Sequence, residues 1–120
     1  MKKLITLFLS IIIATSTLMG CEATIGSMES NTNNSMEMSY HRFSGQKDRT
    51  INVEGNLALD VNIESEQGKL NLTVTDNKDK VIFQKENLET CNFKIELPEK
   101  GKYHIIVEAD AHKGSYTIEW

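Results

Sequence analysis

The chain has 120 residues, 39% of them hydrophobic and 25% charged, with 13 basic and 17 acidic side chains for a formal net charge of −4. That length holds one domain. An acidic balance without a basic cluster argues against nucleic acid and acidic lipid headgroups as partners, because both reward a basic patch.

In chain order, Met1-Lys2-Lys3 forms a short positive head, and residues 4–14 (LITLFLSIIIA) form a mostly apolar run. A membrane-spanning helix needs roughly 20 apolar residues, so this run is too short to persist as a span and reads as a signal peptide. Leu18-Met19-Gly20-Cys21 follows it. This tetrapeptide resembles the lipobox of bacterial lipoproteins, in which the cysteine sulfur is alkylated with diacylglycerol and the chain is then cut just before that cysteine. The resemblance implies a signal peptide over residues 1–20 and lipid attachment at Cys21, with an N-acyl chain such as palmitate as a further addition. It also implies a mature chain anchored at the extracytoplasmic face of the cell membrane. Each buried methylene contributes about 0.8 kcal/mol, so two chains hold firmly where one holds marginally. Loss of Lys2 and Lys3 reduces the 13 basic residues to 11 against 17 acidic ones, a net charge of −6.

Residues 21–38 comprise the lipidated cysteine and a polar stretch without aromatic residues, read as a flexible, disordered tether of about 20 to 25 Å typical end-to-end distance. From Ser39 onward the period becomes two, the signature of half-buried strands. Leu57, Leu59, Val61 and Ile63 alternate with polar residues, as do Leu70, Leu72 and Val74. The pattern returns in Cys91, Phe93, Ile95 and Leu97, in Tyr103, Ile105, Val107 and Ala109, and in Tyr116, Ile118 and Trp120. Turn formers separate these runs at 54–56, 67–69, 76–79, 98–101 and 112–114. The expectation is an all-β domain over residues 39–120, an antiparallel, jelly-roll-like β-sandwich of seven or eight short strands. Cys91, left unpaired once Cys21 is lipidated, has the inward parity of a small apolar core residue, and Pro98 falls where a strand ends.

The C-terminal stretch GKYHIIVEADAHKGSYTIEW carries the pattern Gly-x-Tyr-x-Ile-x-Val, a short turn, then Gly-x-Tyr-x-Ile. This resembles the closing strands of pre-peptidase C-terminal domains. With Phe43-Ser44-Gly45 near the start and Gly114-Ser115-Tyr116-Thr117-Ile118-Glu119-Trp120 at the end, the chain is more closely similar to small uncharacterised lipoproteins of Gram-positive bacteria. The likeness covers about residues 40–120, implies the fold, and carries no catalytic residue to transfer.

Candidate chemistry is sparse. His41, His104 and His112 stand in no nucleophile context, and no Gly-x-Ser-x-Gly elbow occurs, so the chain reads as a non-enzyme. Met36 and Met38, with His41 and Met28 nearby, offer thioethers and an imidazole that would suit Cu(I), an alternative reading as an envelope metal-binding protein. Asp76, Asn77 and Asp79 place hard oxygens in one turn, but a Ca²⁺ loop needs more ligands, and hairpin turns use the same residues. Outward parity exposes His104, and inward parity sends Tyr103, Tyr116 and Trp120 to the core. The sequence therefore predicts a lipid-anchored, noncatalytic binding module without a non-covalent cofactor. Its partners would be the membrane, through the anchor, and an envelope protein, peptide or glycan.

Overall fold

A computed structural model describes residues 23–120, and every regular element among them is a β-strand. In order these are β1 (Ala23–Ile25), β2 (Met28–Thr32), β3 (Ser35–Val53), β4 (Leu57–Asp76), β5 (Val81–Lys85), β6 (Cys91–Leu97) and β7 (Gly101–Glu119). All pairings are antiparallel and form one sheet, ordered β1-β3-β7-β4-β5, with β2 also on β3 and β6 also on β4. A 20-residue strand would run about 65 Å if straight, yet the longest molecular dimension is 37 Å. The three long strands must therefore bend.

They bend together. Register breaks lie between Tyr40 and Gly45 in β3 and between Ser65 and Lys69 in β4, and β7 takes a positive φ of 48° at Ala111 in the same belt. The bend divides the sheet into two halves that pack face to face as a sandwich. The first half runs β2-β3-β7-β4-β6, built from the N-terminal parts of β3 and β4 and the C-terminal part of β7. The second runs β3-β7-β4-β5, from the opposite parts of the same strands. At the corner the backbones cross so closely that a Cβ on Gly114 would strike the carbonyl oxygen of Glu64, and one on Gly68 that of Ala111. Only glycine fits there, and both residues also hold positive φ.

The alternating apolar sets face inward as expected. Leu59, Val61, Ile63, Leu70, Leu72 and Val74 of β4 meet Tyr103, Ile105, Val107, Tyr116 and Ile118 of β7 in one core. Cys91, Phe93 and Trp120 are half-buried against it. Two expectations require correction. The stretches at 67–69 and 112–114 are not chain reversals but bulged bends inside β4 and β7, so two pairs of expected strands are single long ones. Glycine and polar residues signal a departure from regular strand, and a bulge satisfies that signal as well as a turn does.

Ordered structure also begins earlier than residue 39. Residues 23–32 run antiparallel to 35–44, closed by the two-residue turn at Asn33 and Asn34. β1, β2 and the start of β3 thus occupy most of the span read as a tether. Every side chain of β2 is exposed, so this arm of the hairpin pairs through its backbone ladder and leaves no hydrophobic period to read. Cys21 and the signal-peptide span lie outside the described residues.

Candidate functional site

Two features combine polar chemistry with fixed geometry: a buried side-chain relay at the corner and the outer face of the first half-sheet.

At the corner the imidazole of His112 is completely buried. Its Nδ1 lies 2.6 Å from the Tyr40 hydroxyl, and its Nε2 lies 2.9 Å from Ser65 Oγ. Tyr40 packs against Phe43, His112 and Tyr116 with ring centroids 5.2, 5.5 and 6.5 Å apart. Ser44 Oγ accepts from the Ala111 backbone N–H at 2.8 Å, which fixes the backbone just before the histidine. Burial pushes the His112 pKa down and those of Tyr40 and Tyr116 up, so the imidazole and both phenols are neutral near pH 7.

A serine, a histidine and a third polar group in line invite comparison with a nucleophile triad, but the third group is a phenol and not a carboxylate. Tyr40 and Nδ1 share one hydrogen, Nε2 and Ser65 share another, and the tautomer of the ring sets which partner donates in each pair. A neutral phenol supplies no charge to stabilise an imidazolium. The relay pins three strands together: Tyr40 of β3, Ser65 of β4 and His112 of β7. Sequence reasoning placed His112 in a turn, and nothing in the local sequence marks it as the most buried polar side chain of the fold.

On the outer face of the first half-sheet, residues from five strands align in register. One row runs Asn92 (β6), Asn62 (β4), Thr117 (β7), Glu37 (β3) and Ser30 (β2). The next runs Lys94, Asp60, Glu119, Ser35 and Thr32 along the same strands. Asn92 Nδ2 donates to Asn62 Oδ1, and Thr117 Oγ1 donates to Glu37 Oε2 at 3.4 Å. Asp60 keeps one shielded carboxylate oxygen with no hydrogen-bond partner among the described residues. Glu37, Asp60, Glu64, Glu96 and Glu119 outnumber Lys94 here, so the face is an acidic, hydrogen-bonding plane.

The sequence-derived candidates are not brought together. Met36 and Met38 are core residues, 3% and 2% exposed, and the Met38 sulfur receives the Tyr116 hydroxyl at 3.8 Å. His41 is exposed on β3, on the other side of the strand from both thioethers, and Met28 lies on the surface. Strand alternation separates what a disordered tether would have let converge, and among the described residues no group of three His, Cys, Asp or Glu side chains is placed to hold a metal ion. Asp76 instead accepts from the backbone N–H groups of Lys78 and Lys80 at 2.8 and 2.9 Å, which closes the β4–β5 turn and holds its carboxyl below the ordinary value. His104 is half-exposed and lies 2.9 Å from Thr50 Oγ1. Tyr103 and Tyr116 are in the core, Trp120 stands at its margin, and Cys91 is a free thiol.

No protein-family model and no curated protein matches the sequence. Among solved structures, the pre-peptidase C-terminal domain of a Bacillus anthracis collagenase is similar at 14% identity and a TM-score of 0.50, over 80% of this chain and 88% of that one. A carbohydrate-binding module of family 61 solved with β-1,4-galactotriose is 16% identical, with a TM-score of 0.44 over 78% of this chain. The present chain spans only 64% of that module. An Aeromonas hydrophila periplasmic inhibitor of g-type lysozyme is 15% identical, with a TM-score of 0.47 over 79% of this chain and 86% of that one. At such identities the likeness concerns architecture alone, and it identifies the chain as a β-sandwich similar to pre-peptidase C-terminal domains.

Proposed function

We propose that the protein is a lipid-anchored, noncatalytic binding module of a Gram-positive envelope, held by Cys21 at the extracytoplasmic face of the membrane and engaging a neutral, hydroxyl-rich glycan through the outer face of its first half-sheet. The observation that carries the binding reading is the pair of in-register polar rows across five strands. Amides, hydroxyls and carboxylates at strand spacing can donate to and accept from successive sugar hydroxyls, whereas excess carboxylate disfavours phosphate-rich polymers. The family resemblance of the lipobox supports the anchor, and the neutral phenol that stands beside His112 where a triad has a carboxylate supports a noncatalytic role.

Titration with soluble cell-wall glycan fragments, followed by backbone amide chemical shifts, tests the reading. Shifts are expected at Asn62, Asn92 and Thr117, with a loss of affinity of roughly tenfold in Asn62→Ala, equivalent to the 1.4 kcal/mol that a good polar contact can supply. Shifts confined to other surfaces, or none at millimolar fragment, would refute the assigned face. Capture of an envelope protein or peptide on the same residues would replace the glycan with that ligand class. Intact mass of the protein purified from membranes tests the anchor separately.

A further inference from the structure

We infer that the N-terminal hairpin is itself a membrane-contact element: its open end, bearing Ile25 and Met28, meets the lipid surface to which Cys21 is anchored, while the polar rows nearer the Asn33–Asn34 turn stand clear of it. The inference rests on the anchor reading and goes beyond it, because it fixes which end of the sandwich meets the bilayer.

Strand β1 begins at Ala23, two residues after Cys21 in the sequence. Two residues reach at most about 7 Å, and four residues, to Ile25, about 14 Å. The polar layer on each side of a bilayer is roughly 5 to 7 Å thick. A lipidated Cys21 therefore draws β1 to the headgroup region instead of letting the domain float on a 20 Å tether.

The surface drawn there is apolar. Ile25 is 55% exposed and Met28 77%, and these two belong to a set of only four large hydrophobic side chains exposed among the described residues. Ile25 sits across from Arg42, and Met28 across from Ser39. The neighbouring His41 is exposed as well. Single exposed hydrophobic residues need no explanation, but both of these fall within seven positions of the anchor, at the only place where the chain length compels contact. The acidic body gains nothing from anionic headgroups, so the contact is apolar and lipid-neutral, with the Arg42 guanidinium level with the phosphates.

The test uses full-length protein purified from membranes and reconstituted into phosphatidylcholine vesicles containing dibrominated phosphatidylcholine, with tryptophan emission as the readout. Trp120 lies beside the Asn33–Asn34 turn at the far end of the hairpin, its backbone N–H donating to the Asn34 carbonyl at 2.9 Å, and serves as the internal control. Ile25→Trp and Met28→Trp, both at exposed positions, are each expected to show a roughly twofold loss of the added emission, as for a side chain about 5 to 10 Å into the boundary. Wild-type emission stays unchanged. Intact mass of the same samples reports diacylglycerol on Cys21. A lipidated chain whose two added indoles are unquenched overturns the contact while the anchor stands. An unlipidated chain that shows no quenching overturns both, whereas quenching without lipid upholds the surface and removes the anchor.

Discussion

The two open edges of the sandwich are closed by opposite chemistry. Along one, β5 and β6 bring Phe83 and Phe93 into a stacked pair, ring centroids 5.4 Å apart, over the rim of the core. Along the other, β2 and the second half of β3 face each other through ions. Lys47 Nζ lies 3.6 Å from Glu29 Oε1. Arg49 donates to the carbonyls of Ser35, at 2.7 Å, and Thr32, and its guanidinium lies 4.9 Å from the Trp120 ring centroid. The aromatic edge removes apolar surface from water. The ionic edge orients β2, a strand that buries no side chain of its own. One edge should thus carry stability, and the other should carry position.

The largest separation between them is expected on truncation. Phe93→Ala should lower unfolding free energy by about 2–3 kcal/mol, less than for a fully buried phenylalanine because the ring is half-exposed, with the lost stacking added. The loss should be the same in low and high salt. Chemical denaturation at two ionic strengths measures it, and a cost below about 1 kcal/mol would mean that the aromatic edge is ornamental to the core.

The difference between the edges is also the difference between what the sequence discloses and what it hides. Cys91, Phe93, Ile95 and Leu97 announce their strand because alternate side chains must be apolar to meet the core. β2 has no such obligation: Met28, Glu29, Ser30, Asn31 and Thr32 all meet solvent, and its order comes from backbone pairing to β3 and from Glu29 finding Lys47. A reading built on hydrophobic period passes over such a strand and extends a tether through it. Met36 and Met38 suffered from the same omission, since their alternation counts as core packing only once a strand is recognised. The corner hid for another reason. Gly68 and Gly114 mark interruptions, but whether a chain reverses or bends there depends on the crossing strand supplying Glu64 and Ala111, which local sequence does not contain. The outer-face rows were equally hidden, because they exist only through register among five strands.

The corner stands between the edges, and its contribution should be intermediate. His112→Leu keeps an apolar group in the space but leaves the buried Tyr40 hydroxyl without its hydrogen-bond partner, a loss of about 1–2 kcal/mol at neutral pH. The sign of its pH dependence follows from burial. His112 holds a proton less readily in the folded than in the unfolded chain, whose ordinary value is 6.5, so the unfolded state binds more protons as pH falls through that value. Wild-type stability should therefore decline on acidification through pH 6.5, while the variant lacks this component, and the gap between the two narrows. A gap that widens instead would mean that the imidazolium is favoured in the corner, against the neutral relay.

The smallest effect belongs to the ionic edge, and its smallness is informative. The Lys47 and Glu29 side chains are 28% and 38% exposed, so water screens the pair and its worth falls within about 0.2–1 kcal/mol. Glu29→Gln should cost about 0.5 kcal/mol at low salt and nothing measurable near 1 M, where the Debye length is about 3 Å. Hydrogen exchange of the β2 amides should nevertheless quicken in the variant at low salt while those of β4 and β7 stay unchanged, because the ion pair ties down a strand whose release exposes little apolar surface. If exchange quickened equally throughout, β2 would be part of the cooperative core, and the assignment of position to one edge and stability to the other would fail.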